Sequence, residues 1–319
     1  MKYHFFLHSG KYLAGFMLLL FFLGSNTFAH AWSGSGHRFI GSLAWSQMTP
    51  GAKKMVKELL ASGDDAPGTT CKADSISTAS SWLDCARGNN VLPFSEIFHA
   101  DRYPVCVGMV IPSKCKTGHC TTDSLKEAIH NLENPISSVE NRRTSLKIIL
   151  HLVEDLHQPL HVATNGDMNG NETMVLTDEQ SKPISLHQYW DRNLISAIRQ
   201  HENDVYDLIK RRSSSMRLGT IDDWNSQTTQ EAKTIVYGEL LGNKMCLPRK
   251  QDAPPILLTT SYQKHAYALM QLKMAEAGVR LAYILNHAAQ LQSPDKNRQT
   301  HAGKNGQLPQ SGHKVKRVL

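Results

Sequence analysis

Between Thr260 and Gln290 the chain repeats apolar residues at helical spacing. Tyr262, Ala266, Leu269, Met270, Ala277, Leu281 and Ile284 share one face, interrupted only by Lys273. A pattern of that length commits the chain to packing helix on helix. Gly51–Ser62, Ser75–Arg87, Ser138–His157 and Ser185–Arg211 carry the same period, and runs alternating every second residue are scarce. The expected fold class is therefore all-α. Irregular segments rich in Gly, Asn, Asp and Cys (Asp64–Asp74, Pro104–Thr121, Val162–Pro183) separate the helices. Loops of that length in a compact domain are usually functional. With no internal repeat and no linker before Ser293, residues 32–292 are expected to form a single compact helical domain with long loops.

The two ends read differently. Residues 1–31 hold Lys2 and Lys11 but no acid, then an apolar run from Leu13 to Leu23, then Ala29-His30-Ala31 as a small-x-small site. These are the parts of a cleaved secretory signal peptide. The run is shorter than the roughly 20 residues a membrane span needs, so a secreted or periplasmic chain starting at Trp32, with no stable membrane anchor, is expected. The segment 293–319 carries Lys296, Arg298, Lys304, Lys314, Lys316 and Arg317 against Asp295 and few apolar residues, and is expected to be a basic, disordered tail. The net charge of +7 resides in these two ends. The domain between them is close to neutral, so overall basicity is no argument for a polyanionic partner. In an exported chain, Cys71, Cys85, Cys106, Cys115, Cys120 and Cys246 are expected to form disulfides, whose pairing the spacing does not choose.

The most informative stretch is KIILHLVEDLHQPLHVATNGDMNGN. His151 and Asp155 stand at i, i+4, about 40° apart around a helix and one turn apart along it, so both can face one ion. Ile149, Leu152, Val153 and Leu156 surround them, and a carboxylate there is costly to bury unless it meets a cation or a partner. Pro159 ends the helix and His161 follows on the exit turn; His187 and Asp191, in ISLHQYWDRNL, repeat the i, i+4 arrangement. Imidazole and carboxylate without thiolate suit zinc.

With these segments, the chain resembles the zinc-dependent single-strand nucleases and 3′-nucleotidases secreted by fungi and plants, with bacterial relatives, which share a fold with zinc phospholipase C. The family's W-x-x-x-G-H opening appears as Trp32-Ser33-Gly34-Ser35-Gly36-His37, and its A-S-W-x-D-x-x-R segment as SSWLDCAR, ending on Arg87. EIFHADRY supplies His99, the long helix His151 and Asp155, the turn His161, and the next helix His187 and Asp191. The resemblance implies a trinuclear zinc cleft. Asp84, His99, His151 and Asp155 would hold one ion; Trp32, through its free α-amine and carbonyl, His37 and the bridging Asp155 a second; and His161, His187 and Asp191 a third. A hydroxide between the bridged ions would attack, with Asp84 and Asp155 placing the ions and Arg87 facing the phosphate. The implied substrates are single-stranded DNA and RNA and 3′-mononucleotides, cleaved by a monomer to 5′-nucleotides. Where the family has an aromatic beside the histidine and an acid three residues after it, this chain has Ala100 and Arg102, with Asp101 shifted by one. A zinc phospholipase C and a non-catalytic exported zinc-binding protein are the alternative readings. The long interval between His161 and His187 speaks against the first, and Arg87, which binds no cation, against the second.

Overall fold

The computed structural model of the chain describes residues 32–111, 120–247 and 253–292. The expected signal peptide, the tail 293–319 and Cys115 lie outside them. The first half is built from α1 (Gly34–Gln47), α2 (Pro50–Ala61), α3 (Ile76–Ser80), α4 (Trp82–Gly88), α5 (Thr121–Glu133), α6 (Val139–Leu156) and α7 (Pro159–Val162). Then follow α8 (Leu186–Gln188), α9 (Leu194–Arg199), α10 (Glu202–Met216), α11 (Ile221–Glu231) and α12 (Thr260–Gln292). Local chemistry sets the starts. Thr49 accepts a hydrogen bond from the Ala52 amide ahead of Pro50, and Ser138 accepts from the Asn141 amide to open α6.

The helix α12 is the axis of the fold. It has 33 residues, about 50 Å of helix, and packs against α1, α10, α6, α2 and α5. Every residue from Lys273 to Ala282 is buried, so this middle section is enclosed on all sides. At its closest crossing, a Cβ on Gly278 would come within 2.7 Å of the Leu43 Cβ on α1, so only glycine allows that approach. Lys273, which interrupts the apolar face, is paired inside the core with Glu231 and Glu276, both at 2.6 Å.

Two expected helices are broken, and for identifiable reasons. Ser75–Arg87 divides at Ser81, because the Ser80 carbonyl turns to accept the His151 Nδ1–H at 2.8 Å. The stretch Ser185–Arg211 divides into α8, a π turn over Tyr189–Asn193, α9 and α10. Three helices that the periodicity did not single out, α1, α5 and α11, are present, the last running into a π segment over Ala232–Glu239.

Among the described residues strand is confined to pieces of two or three residues that tie loops together. β1 (Tyr103–Pro104) pairs in parallel with β2 (Ala163–Thr164), with Tyr103 opposite Ala163. β3 (Met174–Leu176) lies between β4 (Ile184–Ser185) and β5 (Ile256–Leu257). The disulfide Cys106–Cys246 fastens the loops after β1 and before β5, and Cys71–Cys85 ties the loop between α2 and α3 to α4. Cys120 is also disulfide-bonded.

Candidate metal centre

Eight polar side chains from six segments meet in the interior. His37 comes from the first turn of α1, Asp84 from α4, and His99 from the loop after Phe94–Glu96. The last two turns of α6 supply His151 and Asp155, and α7 supplies His161. His187 lies on α8 and Asp191 on the π turn that continues it, a local widening of the helix often found at functional sites. All eight are buried. Three sets have ligand atoms within 4.8 Å of one another: His37, His151 and Asp155; Asp84, His99 and His151; and His161, His187 and Asp191.

Asp155 stands between them. Its Oδ2 faces His151 Nε2 at 3.1 Å and His99 Nδ1 at 3.7 Å. Its Oδ1 faces His161 Nδ1 at 3.2 Å and His37 Nε2 at 3.6 Å. Each oxygen therefore serves a different group of rings. Asp84 lies 3.1 Å from His99 Nδ1 and 3.9 Å from His37 Nε2, and Asp191 Oδ2 lies 2.8 Å from His187 Nε2.

Surrounding groups fix the rings. His37 Nδ1–H donates to Glu154 Oε2 at 2.5 Å, His151 Nδ1–H to the Ser80 carbonyl, and His187 Nδ1–H to the Asn169 carbonyl at 2.7 Å. In each case the opposite nitrogen, Nε2, is left with its lone pair facing the cluster, the tautomer a metal ligand needs. Asn169 lies between Gly166 and Gly170 in the loop from β2 to β3, and its side-chain amide donates to the Leu160 carbonyl at 2.8 Å. The same loop is held by Asp167, which accepts from Tyr237 and Thr173. Gln158 donates to Asp191 Oδ1 at 2.6 Å while accepting from the Leu160 amide.

Burial and the neighbouring groups pull the side chains of the cluster in opposite directions. Burial pushes the His37 imidazole down to about 3, helped by His151, and takes His99 to about 4 despite Asp84. Burial alone would raise Asp155, yet His151 and His161 hold it well below the carboxylate range. Asp191 is held at about 2 by His187 and His161 against the pull of burial. His161 would be lowered by burial, but Asp155 and Asp191 outweigh it and carry the ring up to about 10. The groups fit a metal for a simple reason. His37 Nε2, Asp84 Oδ1, both Asp155 oxygens, His161 Nδ1 and His187 Nε2 are buried without a hydrogen-bond partner. Orphaned polar atoms are costly one at a time, and a convergent set of imidazole and carboxylate atoms is the donor set that divalent cations satisfy.

The other expected positions fall around this cluster. Trp32 is fully buried at the head of α1, and the Ser33 amide donates to the Asp191 carbonyl at 3.1 Å. Gly36 lies so close that a Cβ there would stand 3.1 Å from the Trp32 Cβ. Arg87 is half-buried on the last turn of α4, one turn beyond Asp84. Asp101 does not serve as an exposed acid: it is buried, and its Oδ2 accepts from Thr122 and Asn225, joining the loop after His99 to α5 and α11. Buried His157 is no ligand, since its Nδ1–H donates to the Val153 carbonyl and its Nε2 accepts from Arg280. Sequence reasoning missed Glu154, Gln158 and Asn169. Glu154 carried a signal, being a second acid inside the apolar run beside Asp155.

Comparison with known proteins gives a consistent result. The family model described as S1/P1 Nuclease matches residues 32–290. The chain is 25% identical over 283 residues to Endonuclease 2 of Arabidopsis thaliana, covering 81% of this chain and 90% of that protein. It is 21% identical over 271 residues to Nuclease S1 of Aspergillus oryzae, covering 79% and 90%. Nuclease P1 of Penicillium citrinum is 22% identical over 164 residues, covering 50% of this chain and 57% of that protein.

Proposed function

The chain belongs to the S1/P1 nuclease family, and from that premise we propose that it is a zinc phosphodiesterase that hydrolyses single-stranded DNA and RNA to 5′-nucleotides and removes terminal 3′-phosphates at the same centre. The observation that carries the reading is the burial of eight ligand-type side chains around the two-faced carboxylate of Asp155.

In this reading Asp84, His99, His151 and Asp155 hold one zinc; Trp32, His37 and Asp155 a second; and His161, His187 and Asp191 a third. Zinc at such a site lowers the pKa of water to about 7, giving a nucleophile at neutral pH, and offsets charge on phosphoryl and leaving oxygens. The protein's own groups do the rest. Asp155 keeps the first two sets of ligands in register through its separate oxygens. Arg87, one helical turn from Asp84, offers its planar fork to the phosphoryl oxygens. Ser80, Glu154 and Asn169 hold three rings in the tautomer that presents Nε2. Single strands are favoured in this reading because a pocket that takes one unstacked base cannot reach into a duplex.

The leader, domain and tail follow the same reading: a cleaved signal peptide over 1–31, a helical nuclease domain over 32–292, a basic tail over 293–319, and a monomer secreted or held in a periplasm. Among the described residues no helix is long and apolar enough to cross a membrane. Trp32, sealed in the core beside Asp191, is the first residue of the mature chain and contributes its α-amine, so mass spectrometry of the exported protein should find Trp32 at the N-terminus.

The function is tested by release of acid-soluble 5′-nucleotides from single-stranded DNA, RNA and duplex controls by the purified mature protein, with EDTA and then with zinc restored. Release from single strands that EDTA stops and zinc returns is the expected result. No release from a protein holding about three zinc ions would overturn it and lead next to phosphatidylcholine.

A further inference from the structure

One residue holds both members of the second ligand set that come from the start of the chain. Glu154 is fully buried on α6, immediately before Asp155. Successive helical residues are about 100° apart around the axis, so while Asp155 faces the middle of the cluster, Glu154 passes behind His37. Two different atoms of Glu154 make contacts there. Its side-chain Oε2 accepts the His37 Nδ1–H at 2.5 Å, and its backbone carbonyl accepts the Trp32 Nε1–H at 2.8 Å. The His37 ring is also stacked on His151, centroids 4.1 Å apart and 19° from parallel. Held on its edge by Glu154 and on its face by His151, the ring has one direction left for Nε2, toward Asp155 at 3.6 Å and Asp84 at 3.9 Å.

Stability of the core gives no reason for an acid here. Glu154 Oε1 makes no hydrogen bond of normal geometry although it is buried, and a carboxylate buried with so few partners is costly to place there. What the acid does that an apolar residue cannot is accept the His37 proton. A histidine ligand almost always donates its second ring N–H to an oxygen in this way, which fixes tautomer and orientation.

Resting on the zinc reading above, we propose that Glu154 is the positioning residue of the second metal site, locking His37 by its side chain and Trp32 by its main chain. It touches neither substrate nor ion and acts through His37.

The test compares Glu154→Gln, which keeps an oxygen to accept the Nδ1–H, with Glu154→Leu, which does not. Zinc per chain is measured on the mature proteins against graded chelator, with no substrate present, and thermal midpoints are taken metal-free and zinc-loaded. For Glu154→Leu, one zinc equivalent should leave at chelator strength about 10- to 100-fold lower than in the parent, the other equivalents holding. Glu154→Gln should recover most of that loss. A Glu154→Leu protein with the parental competition curve would overturn the proposal. So would loss of all equivalents together with a lower metal-free midpoint, which is the behaviour of a residue that only supports the core. Nuclease activity of the parent decides the functional reading separately.

Discussion

At the scale of single residues, Asp155 carries the most. Its two oxygens face different rings, so Asp155→Asn keeps the volume and removes the charge on both sides. Activity on single-stranded DNA should fall by at least about 100-fold, with less zinc per chain by elemental analysis; full activity in that variant would rule out the shared carboxylate. Gln158 makes a narrower test. It donates to Asp191 and accepts from the Leu160 amide at the start of α7. For Gln158→Ala, zinc affinity of the His161, His187 and Asp191 set should weaken by about 10- to 100-fold in competition with a chelator, and the lost cap should remove about 1 kcal/mol of stability. Five side chains of the cluster were legible from local spacing, His151 to Asp155 and His187 to Asp191 being single helical turns with His161 on the exit turn between them, whereas His37, Asp84 and His99 stand alone in their segments and were reached only through the family resemblance. Glu154, Gln158 and Asn169 were legible by neither route, since their partners are set by how loops meet. Glu154 is 117 positions from His37, and no local pattern joins them.

Among the elements, α12 was the easiest to read and holds the least expected contact. Its apolar face was plain from the period, with Lys273 as the one exception, and the exception is explained by Glu231 on α11 and Glu276 one turn on. Lys273→Met leaves the buried Glu276 and the half-buried Glu231 without the ammonium between them, with Arg280 still facing Glu276 at 3.5 Å, which should destabilise the protein by about 3 kcal/mol in urea unfolding; a change below about 1 kcal/mol would mean that water reaches the pair. Helix ends were less legible. The division between α3 and α4 depends on Ser80 giving its carbonyl to His151, 71 positions away, a contact absent from any window of the sequence. The helices α1, α5 and α11 went unmarked, and α11 and its π continuation show why: Asp222, Asp223, Gln227 and Glu231 dilute the apolar period, while Trp224, Val236 and Tyr237 still reach the core.

For the whole molecule, metal and fold should be linked. A ligand that binds only the native state, present at about 1,000 times its dissociation constant, adds about 4 kcal/mol, and in a chain of this size that moves the midpoint by about 10 °C. Calorimetry of the zinc-loaded protein should therefore show a fall of that order when EDTA is added, reversed by zinc; an unchanged midpoint would mean that the native fold does not bind zinc in preference to the unfolded chain. The cysteine pairing belongs to this scale as well. Cys106 and Cys246 are 140 residues apart, and only the finished arrangement of loops shows that they meet. The packing of α12 on α1, with Gly278 against Leu43, has a consequence for how the chain is made. A polypeptide leaving the ribosome delivers His37 early, but α12, the helix that closes over α1, follows every other described helix. Contacts between such distant segments form slowly, so the core stays open until α12 has emerged, and the histidines of the first half wait, uncommitted, for that helix to close over α1.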